Sequence, residues 1–450
     1  LIRFATKTGN ESKHNRTMKK FATYLLCGLI SAQAVKAQEM VYPAKPQEQP
    51  ILISNGMIHV GNGQVISNGS VLIEKGKISA VGASVNAPAN AMKVDAAGKH
   101  VYPSLILSMS DLGLREVGSG TRATNDVQEL GDINPNVRSI VAYNTDSKII
   151  NTLRNSGILI AHTVPRGGLI MGSSSVVQLD AWNWEDAAYA MDNGIHLDMP
   201  SLLNRPRGGF GQQARSGADP LKAAMERIES AKQFFREVKS YSAEKEHSAM
   251  NLKYEGAKGL FDKSKKLFVH ANLVKEMLVA VDFVKEFGFD VVIVGGSESF
   301  LIADLLKQHN LPVILNQMHA IPTTPEDDVD QPYKTPAALQ QAGVLFAIND
   351  NDGQFRGRNL SYNAGTAATY GLTKEQALSA ITLNAAKILG IDQKTGSIEA
   401  GKDANIVISE GDILDMRSSR ITNAFIQGRV INLDDKQKQL YERYKHKYGL

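Results

Sequence analysis

Cysteine is almost missing from this 450-residue chain. The one present is Cys27, so nothing beyond it can form a disulfide or supply a thiolate nucleophile or ligand. No Gly-x-Gly-x-x-Gly turn occurs, which weakens the case for a nucleotide-binding open sheet. No Gly-x-Ser-x-Gly elbow occurs either, so a serine hydrolase is unsupported. Low-complexity tracts and blocks of like charge are absent as well, and the composition is that of an ordinary globular protein.

The formal charge of +4 misleads about partners. Residues 1–37 hold seven Lys/Arg and one Asp/Glu, leaving 43 basic and 45 acidic side chains in the remainder. The basic balance belongs to the first stretch, and nucleic acid is not an expected partner. Within that stretch Met18-Lys19-Lys20 precedes an apolar run from Phe21 to Ala32, followed by small-residue sites at Ala32-Gln33-Ala34 and Val35-Lys36-Ala37. Basic start, short apolar core and small-x-small exit are the three parts of a secretory signal. The expectation is a signal peptide over 18–37, cleaved after Ala37, with residues 1–17 upstream of the true start. Export to the periplasm follows. The alternative is a short membrane anchor, but the run is too short to span and no second candidate follows it. Tyr24-Leu25-Leu26 lacks the small residues that lipidation at Cys27 would want.

A Pro/Gln-rich connector, Tyr42 to Gln49, leads into short alternating strands: ILISNGMIHV, QVISNGSVLIE and KISAVG. Asn55-Gly56, Asn68-Gly69 and Lys75-Gly76 read as turns between half-buried strands. A similar block returns near the end as GSIEAGKDANIVIS and ITNAFIQGRVINL. Both ends together predict one small β-sandwich, from 38–100 and 391–450. Between them GILIAHTV, KLFVHAN, DVVIVGG, LPVILNQ and VLFAIND alternate with helical patterns such as VKEMLVAVDFVKEFG. Near-continuous apolar strands alternating with helices indicate a parallel sheet buried on both faces. At this length a (β/α)8 barrel over 101–390 is the leading form, with a doubly wound open sheet as runner-up. The stretch of about 200–266 interrupts this rhythm with RPRGGFGQQARSGADP and a charged amphipathic helix from Leu221 to Glu246. It reads either as a lid over the barrel mouth or as a plain surface insertion.

The segment Val101–Leu114, VYPSLILSMSDLGL, resembles the first barrel strand of the amidohydrolase superfamily, in its imidazolonepropionase-like branch. Pro103, Leu105, Ile106, Leu112 and Gly113 keep that frame, and the resemblance extends over nearly all of residues 50–433. The segments Gly371–Leu378 and Thr382–Gly390 belong to it, as two helices with Thr373 and Gln376 forming a capping box. The resemblance implies a barrel whose strand ends present His-x-His on the first strand, histidines on the fifth and sixth, and an Asp on the eighth. Those groups would hold a Zn or Fe ion that activates water, with the Asp accepting its proton.

Carried across residue by residue, that set is mostly lost. The first-strand histidines are Met109 and Asp111, His270 keeps the fifth-strand position, Gly295 stands at the sixth, and Asn351 falls at the eighth, with Asp350 as a weak substitute. A thioether is a poor ligand for a hydrolytic Zn or Fe ion. Asp111, His270 and Asp350 together could still offer two carboxylates and one imidazole to a divalent ion. The alternative pairs Asp111 with a nearby Lys or Arg and makes His270 a hydrogen-bonded pocket residue. No bound cofactor is expected, with Zn or Fe as the alternative.

Other strand-end residues face the same predicted mouth. These are His162, Arg166 in the turn Pro165–Gly172, and His319 after the seventh strand. That turn brings Arg166 and backbone amides to an anionic ligand, or is a loop needing glycine at positive φ. Two functions follow. One is an exported, non-catalytic relative that binds a small ligand, or pairs as a homo- or hetero-oligomer with a related barrel. The other is a hydrolase of C–N bonds in cyclic amides or dipeptides, with a rearranged metal site or none.

Overall fold

A computed structural model describes residues 42–116, 125–202, 219–244, 246–316, 318–322, 326–350 and 356–450. The stretch 18–37 and Asn351 lie outside the described residues. Residues 44–450 form one compact unit holding two sheets.

The first sheet is assembled from both ends of that unit. Its strands are β1 (Ile51–His59), β2 (Val65–Glu74), β3 (Lys77–Gly82), β4 (Met92–Asp95) and β5 (His100–Pro103), joined later by three more. Apolar side chains at alternate positions, such as Ile51 and Ile53 or Val71 and Ile73, fill its core together with Ile406, Ile408 and Phe425. Of the three expected turns, Lys75-Gly76 alone joins two strands. Asn55-Gly56 and Asn68-Gly69 lie inside β1 and β2, where the register shifts between Ile53, Gly56 and Ile58. They are bulges, because left-handed φ at Asn55 and Asn68 kinks a strand whose flanking residues still pair.

The second sheet is the barrel: β6 (Leu105–Ser110), β7 (Ile158–Thr163), β8 (Ile170–Gln178), β9 (Ala188–Asp198), β10 (Lys266–Ala271), β11 (Val291–Gly295), β12 (Val313–Leu315) and β13 (Phe346–Ile348). Each strand neighbours the next in sequence. The predicted α/β barrel is therefore present, with His270 on its fifth strand, Gly295 ending its sixth and Asn349 following its eighth. It differs in one strand. β8 runs antiparallel to both β7 and β9, because the loops flanking it are too short for a crossover helix. The stretch read as one strand from Val101 is also divided. His100–Pro103 pairs with β1 and with β14 (Ile406–Ser409) in the first sheet, and the barrel starts at Leu105.

Alternation along the strands separates two cores. Ile106, Ile160, Val176, Phe268, Val292, Ile314 and Ala347 fill the barrel, whose floor is closed by Ala385, Ile388 and Leu389 of the helix Leu383–Leu389. Leu105, Leu159, Leu267 and Ile293 point outward against the helices. The expected capping box is present in the preceding helix: Thr373 N–H donates to Gln376 at 2.8 Å, and Gln376 N–H to Thr373 at 3.2 Å.

The helix Pro220–Ala243, capped by Asp219, belongs to the outer layer and not to a lid. Phe235 is buried against Phe283, Phe287 and Phe289 at 5.3–5.9 Å between ring centres. Arg236 pairs with Glu286 on the neighbouring helix Val274–Phe287. Its apolar stripe is satisfied against the barrel wall, while residues 203–218 of the same insertion lie outside the described residues. The unit is completed by β15 (Ile421–Ile426), β16 (Arg429–Val430) and the helix Lys436–Tyr448. No helix among the described residues is long and apolar enough to cross a membrane.

Candidate functional site

Three histidines from three strands meet inside the upper barrel. His162 comes from β7, His196 from β9 and His270 from β10. Register explains the meeting. Phe268 lies beside His196 across the β9–β10 pair, and His270 is two residues further on the same face. The ring of Phe268 stacks on His196 at 4.7 Å and lies 5.1 Å from His162, so an apolar plate underlies the imidazoles.

The hydrogen bonds set the state of these rings. His162 Nδ1 lies 2.9 Å from the Ser108 carbonyl, which can only accept, so Nδ1 carries the proton. His196 Nδ1 and His270 Nε2 lie 2.9 Å apart and share one hydrogen bond. Burial pulls His162 down to about 4, against the raising effect of its hydrogen bond to Ser108. Burial, then the charge of Arg166 and the neighbouring His162, takes His270 down to about 3. His196 is held well below its ordinary value by burial first and then by His270, His162 and Arg166. At neutral pH the three rings are uncharged. His196 Nε2 is also buried without a hydrogen-bond partner among the described residues.

The first strand presents Met109, and Asp111 follows its end; both are buried. The backbone of Met109 is bound by the side chain of Asn349: its N–H donates to Oδ1 and its carbonyl accepts from Nδ2, each at 3.0 Å. Asp111 Oδ2 pairs with the guanidinium of Arg115 and lies 3.4 Å from Arg166 Nε. Arg166 thus lies beside Asp111, and in its loop Gly167, Gly168 and Gly172 take φ of 86°, 78° and 137°, which glycine adopts readily.

The remaining candidates lie around the ends of β11–β13. Gly295 has φ 104°, and a Cβ there would lie 2.4 Å from Asn272 Oδ1, so the Asn272 carboxamide fills the sixth-strand position. Asp350 is buried and accepts from Asn363 Nδ2 at 3.0 Å. His319 is exposed and faces the Thr366 hydroxyl at 2.8 Å, away from the other histidines. A cavity of about 220 Å³ opens beside the ends of β10–β12, lined by Asn272, Gly295, Ser297, Leu315, Asn316 and Thr335 among others.

These residues do not fit the metal that the barrel resemblance implies. Asp111 already faces two guanidiniums, His270 Nε2 is bonded to His196, and Gly295 offers no donor. Among the described residues no three His, Cys, Asp or Glu side chains converge to hold an ion. The weaker set of Asp111, His270 and Asp350 is not brought together as a ligand group either.

The residue missed by the sequence reading is His196. Its strand, AYAMDNGIHLD, is polar and interrupted by Gly194, which masks the alternation of Ile195 and Leu197 against His196 and Asp198. That alternation was the available signal.

Comparison with known proteins agrees with the barrel fold. A sequence model described as "Amidohydrolase family" matches residues 167–431. The imidazolonepropionase of Flavobacterium psychrophilum is 33% identical over 109 residues, 22% of this chain and 26% of that enzyme. An amidohydrolase of Hapsidospora irregularis is 22% identical over 379 residues, covering 77% of this chain and 38% of that protein. The match thus spans about a quarter to two fifths of these relatives' own lengths. Among solved structures, an amidohydrolase from Thermotoga maritima superposes with a TM-score of 0.74 at 25% identity, over 85% of this chain and 99% of that one.

Proposed function

This chain belongs to the amidohydrolase family, and from that footing we propose that it is a non-hydrolytic member, exported, that binds a small ligand at the barrel mouth. The observation that carries the reading is Asp111. The carboxylate just past the end of the first strand faces Arg115 and Arg166, so guanidinium groups stand where hydrolysis would want a cation open to water. Metal-dependent hydrolysis needs a Lewis acid with an open position and a base to take the proton from its water. Here the imidazoles are neutral, buried and bonded to one another or to backbone. The cavity beside β10–β12 offers carboxamides and hydroxyls next to apolar walls, the usual makeup of a small-molecule pocket. Export is supported by the pattern from Met18 to Ala37.

The test is direct. Purified protein is assayed for bound Zn, Fe and Mn, and for turnover of cyclic amides and dipeptides. Expected are metal well below one ion per chain and no turnover sensitive to a chelator, while a screened small ligand raises the melting temperature. Near-stoichiometric metal, with turnover abolished both by a chelator and by His270→Ala, would overturn the reading in favour of a C–N hydrolase. Export is checked by fractionation and N-terminal sequencing, with Gln38 expected as the first residue.

A further inference from the structure

The helix Lys436–Tyr448 buries none of its residues. Its first turn is tied down. Asp435 accepts from Lys438 N at 2.8 Å, and Lys438 Nζ donates to Asn155 Oδ1 at 2.6 Å. Asn155 ends the helix leading into β7, so the tether sits at the floor end of the barrel, away from His270. A helix of this length with no buried face is marginal in water, where about 12–15 residues are needed even for good helix formers. Among the described residues its long face is left uncovered.

Its side chains indicate what would cover it. At about 100° per residue, Tyr441, Tyr444 and Tyr448 form one stripe. Lys445 and Lys438 border it on one edge, Lys447 and then Lys436 lie off the other, and Glu442 and Arg443 are on the far side. The tyrosines are 65%, 50% and 65% exposed, too open for rings that pack within the chain. Lys445 lies over Tyr441 at 6.0 Å, and Lys447 over Tyr448 at 5.2 Å, so ammonium groups and rings share one face. Five basic side chains, with Arg443, stand against a single carboxylate.

We infer that this helix docks on an anionic phospholipid bilayer, lying in the headgroup plane with its tyrosine stripe inward. Tyrosine rings settle at the level of the headgroups, and the lysines at both edges reach lipid phosphates while their stems cover apolar surface. Each cation near an anionic surface adds attraction that salt screens. A nucleic acid would also attract these cations. However, residues 38–450 balance 43 basic side chains against 45 acidic, leaving no wider basic footprint for a phosphate backbone. The helix lies on the end of the barrel opposite the histidines, so docking would leave the mouth facing water.

Flotation of the purified protein with vesicles tests this. Vesicles of phosphatidylcholine with about 30% phosphatidylglycerol should bind at least about tenfold more protein than phosphatidylcholine alone, with loss of binding at about 0.5 M salt. The pair Lys445→Glu/Lys447→Glu should lower binding by about tenfold or more, and Tyr444→Ser/Tyr448→Ser should weaken it at unchanged charge. Both pairs should keep the parent melting temperature, since none of the four residues is buried. Equal binding to both vesicle types overturns the inference, as does charge reversal without effect, or retention of duplex DNA in place of vesicles.

Discussion

Asn349 closes the barrel on Met109. Its carboxamide stands in for a strand, taking the Met109 N–H and meeting the Met109 carbonyl at 3.0 Å each across the seam between β13 and β6. Both partners are buried, so the seam is a pair of enclosed hydrogen bonds with no water to replace them.

Replacing Asn349 by Ala should therefore be severe. It leaves a buried donor and a buried acceptor unpaired, at about 1–3 kcal/mol each. Urea unfolding should show a loss of about 2–5 kcal/mol with an unchanged m-value. A loss under about 0.5 kcal/mol would mean that the two strands close without it.

Acid should weaken the fold through the three barrel histidines. Their folded-state pKa values are depressed, to about 4 for His162 and about 3 for His270, while unfolded imidazole titrates near 6.5. The unfolded chain then binds more protons below about pH 6.5, so the contribution is full above that pH and is lost on descending toward the folded values. Each group changes stability by up to about 1.4 kcal/mol per pH unit in that window. Urea midpoints should be level from about pH 8 to 7 and fall between about 6.5 and 4. The variant His162→Gln should show a shallower fall, and an identical slope would remove His162 from the account.

Restoring the lost ligand should fail. At Gly295 a side chain meets Asn272 Oδ1 at 2.4 Å, on a backbone with φ 104°. Gly295→Ala should cost about 1–3 kcal/mol from strained φ. Gly295→His should melt earlier still and take up no stoichiometric Zn on dialysis. Tight Zn binding by that variant would contradict the geometry.

Asp180 ties the terminal sheet to the barrel. It pairs with Arg154 at 2.6 Å and with Arg429 of β16 at 2.8 Å, and both Arg154 and Asp180 are buried. Asp180→Ala leaves a buried guanidinium unpaired and should cost about 3–5 kcal/mol. The double variant Asp180→Ala/Arg154→Met should recover part of that loss in thermal unfolding, because it also removes the stranded charge. No recovery would place the loss in packing.

Much of the barrel was legible because its strands advertise themselves. Segments such as Lys266–Ala271 and Val291–Gly295 are short, β-branched and apolar on both faces, as strands buried on both sides must be. The β8–β9 hairpin was not legible. Ser173, Ser174 and Ser175 lie mid-strand and buried, their hydroxyls at 2.9–3.4 Å from backbone groups that only the folded sheet supplies. Asn55-Gly56 looked like a turn for a related reason. Left-handed φ suits a turn and a bulge equally, and the pairing partner decides between them.

The chain by itself determined the barrel, the sheet built from two distant segments, and the loss of ligand types at Met109, Asp111 and Gly295. Residue identity and periodicity are local properties and suffice for the barrel and the sheet, while the ligand positions follow from the resemblance to the amidohydrolase superfamily. What surrounds those positions was decided only in three dimensions. Arg166 reaching Asp111, His196 meeting His270 and Asn272 entering the space above Gly295 are contacts between residues far apart in sequence. Strand register and loop path bring them together, and neither is written in any one segment.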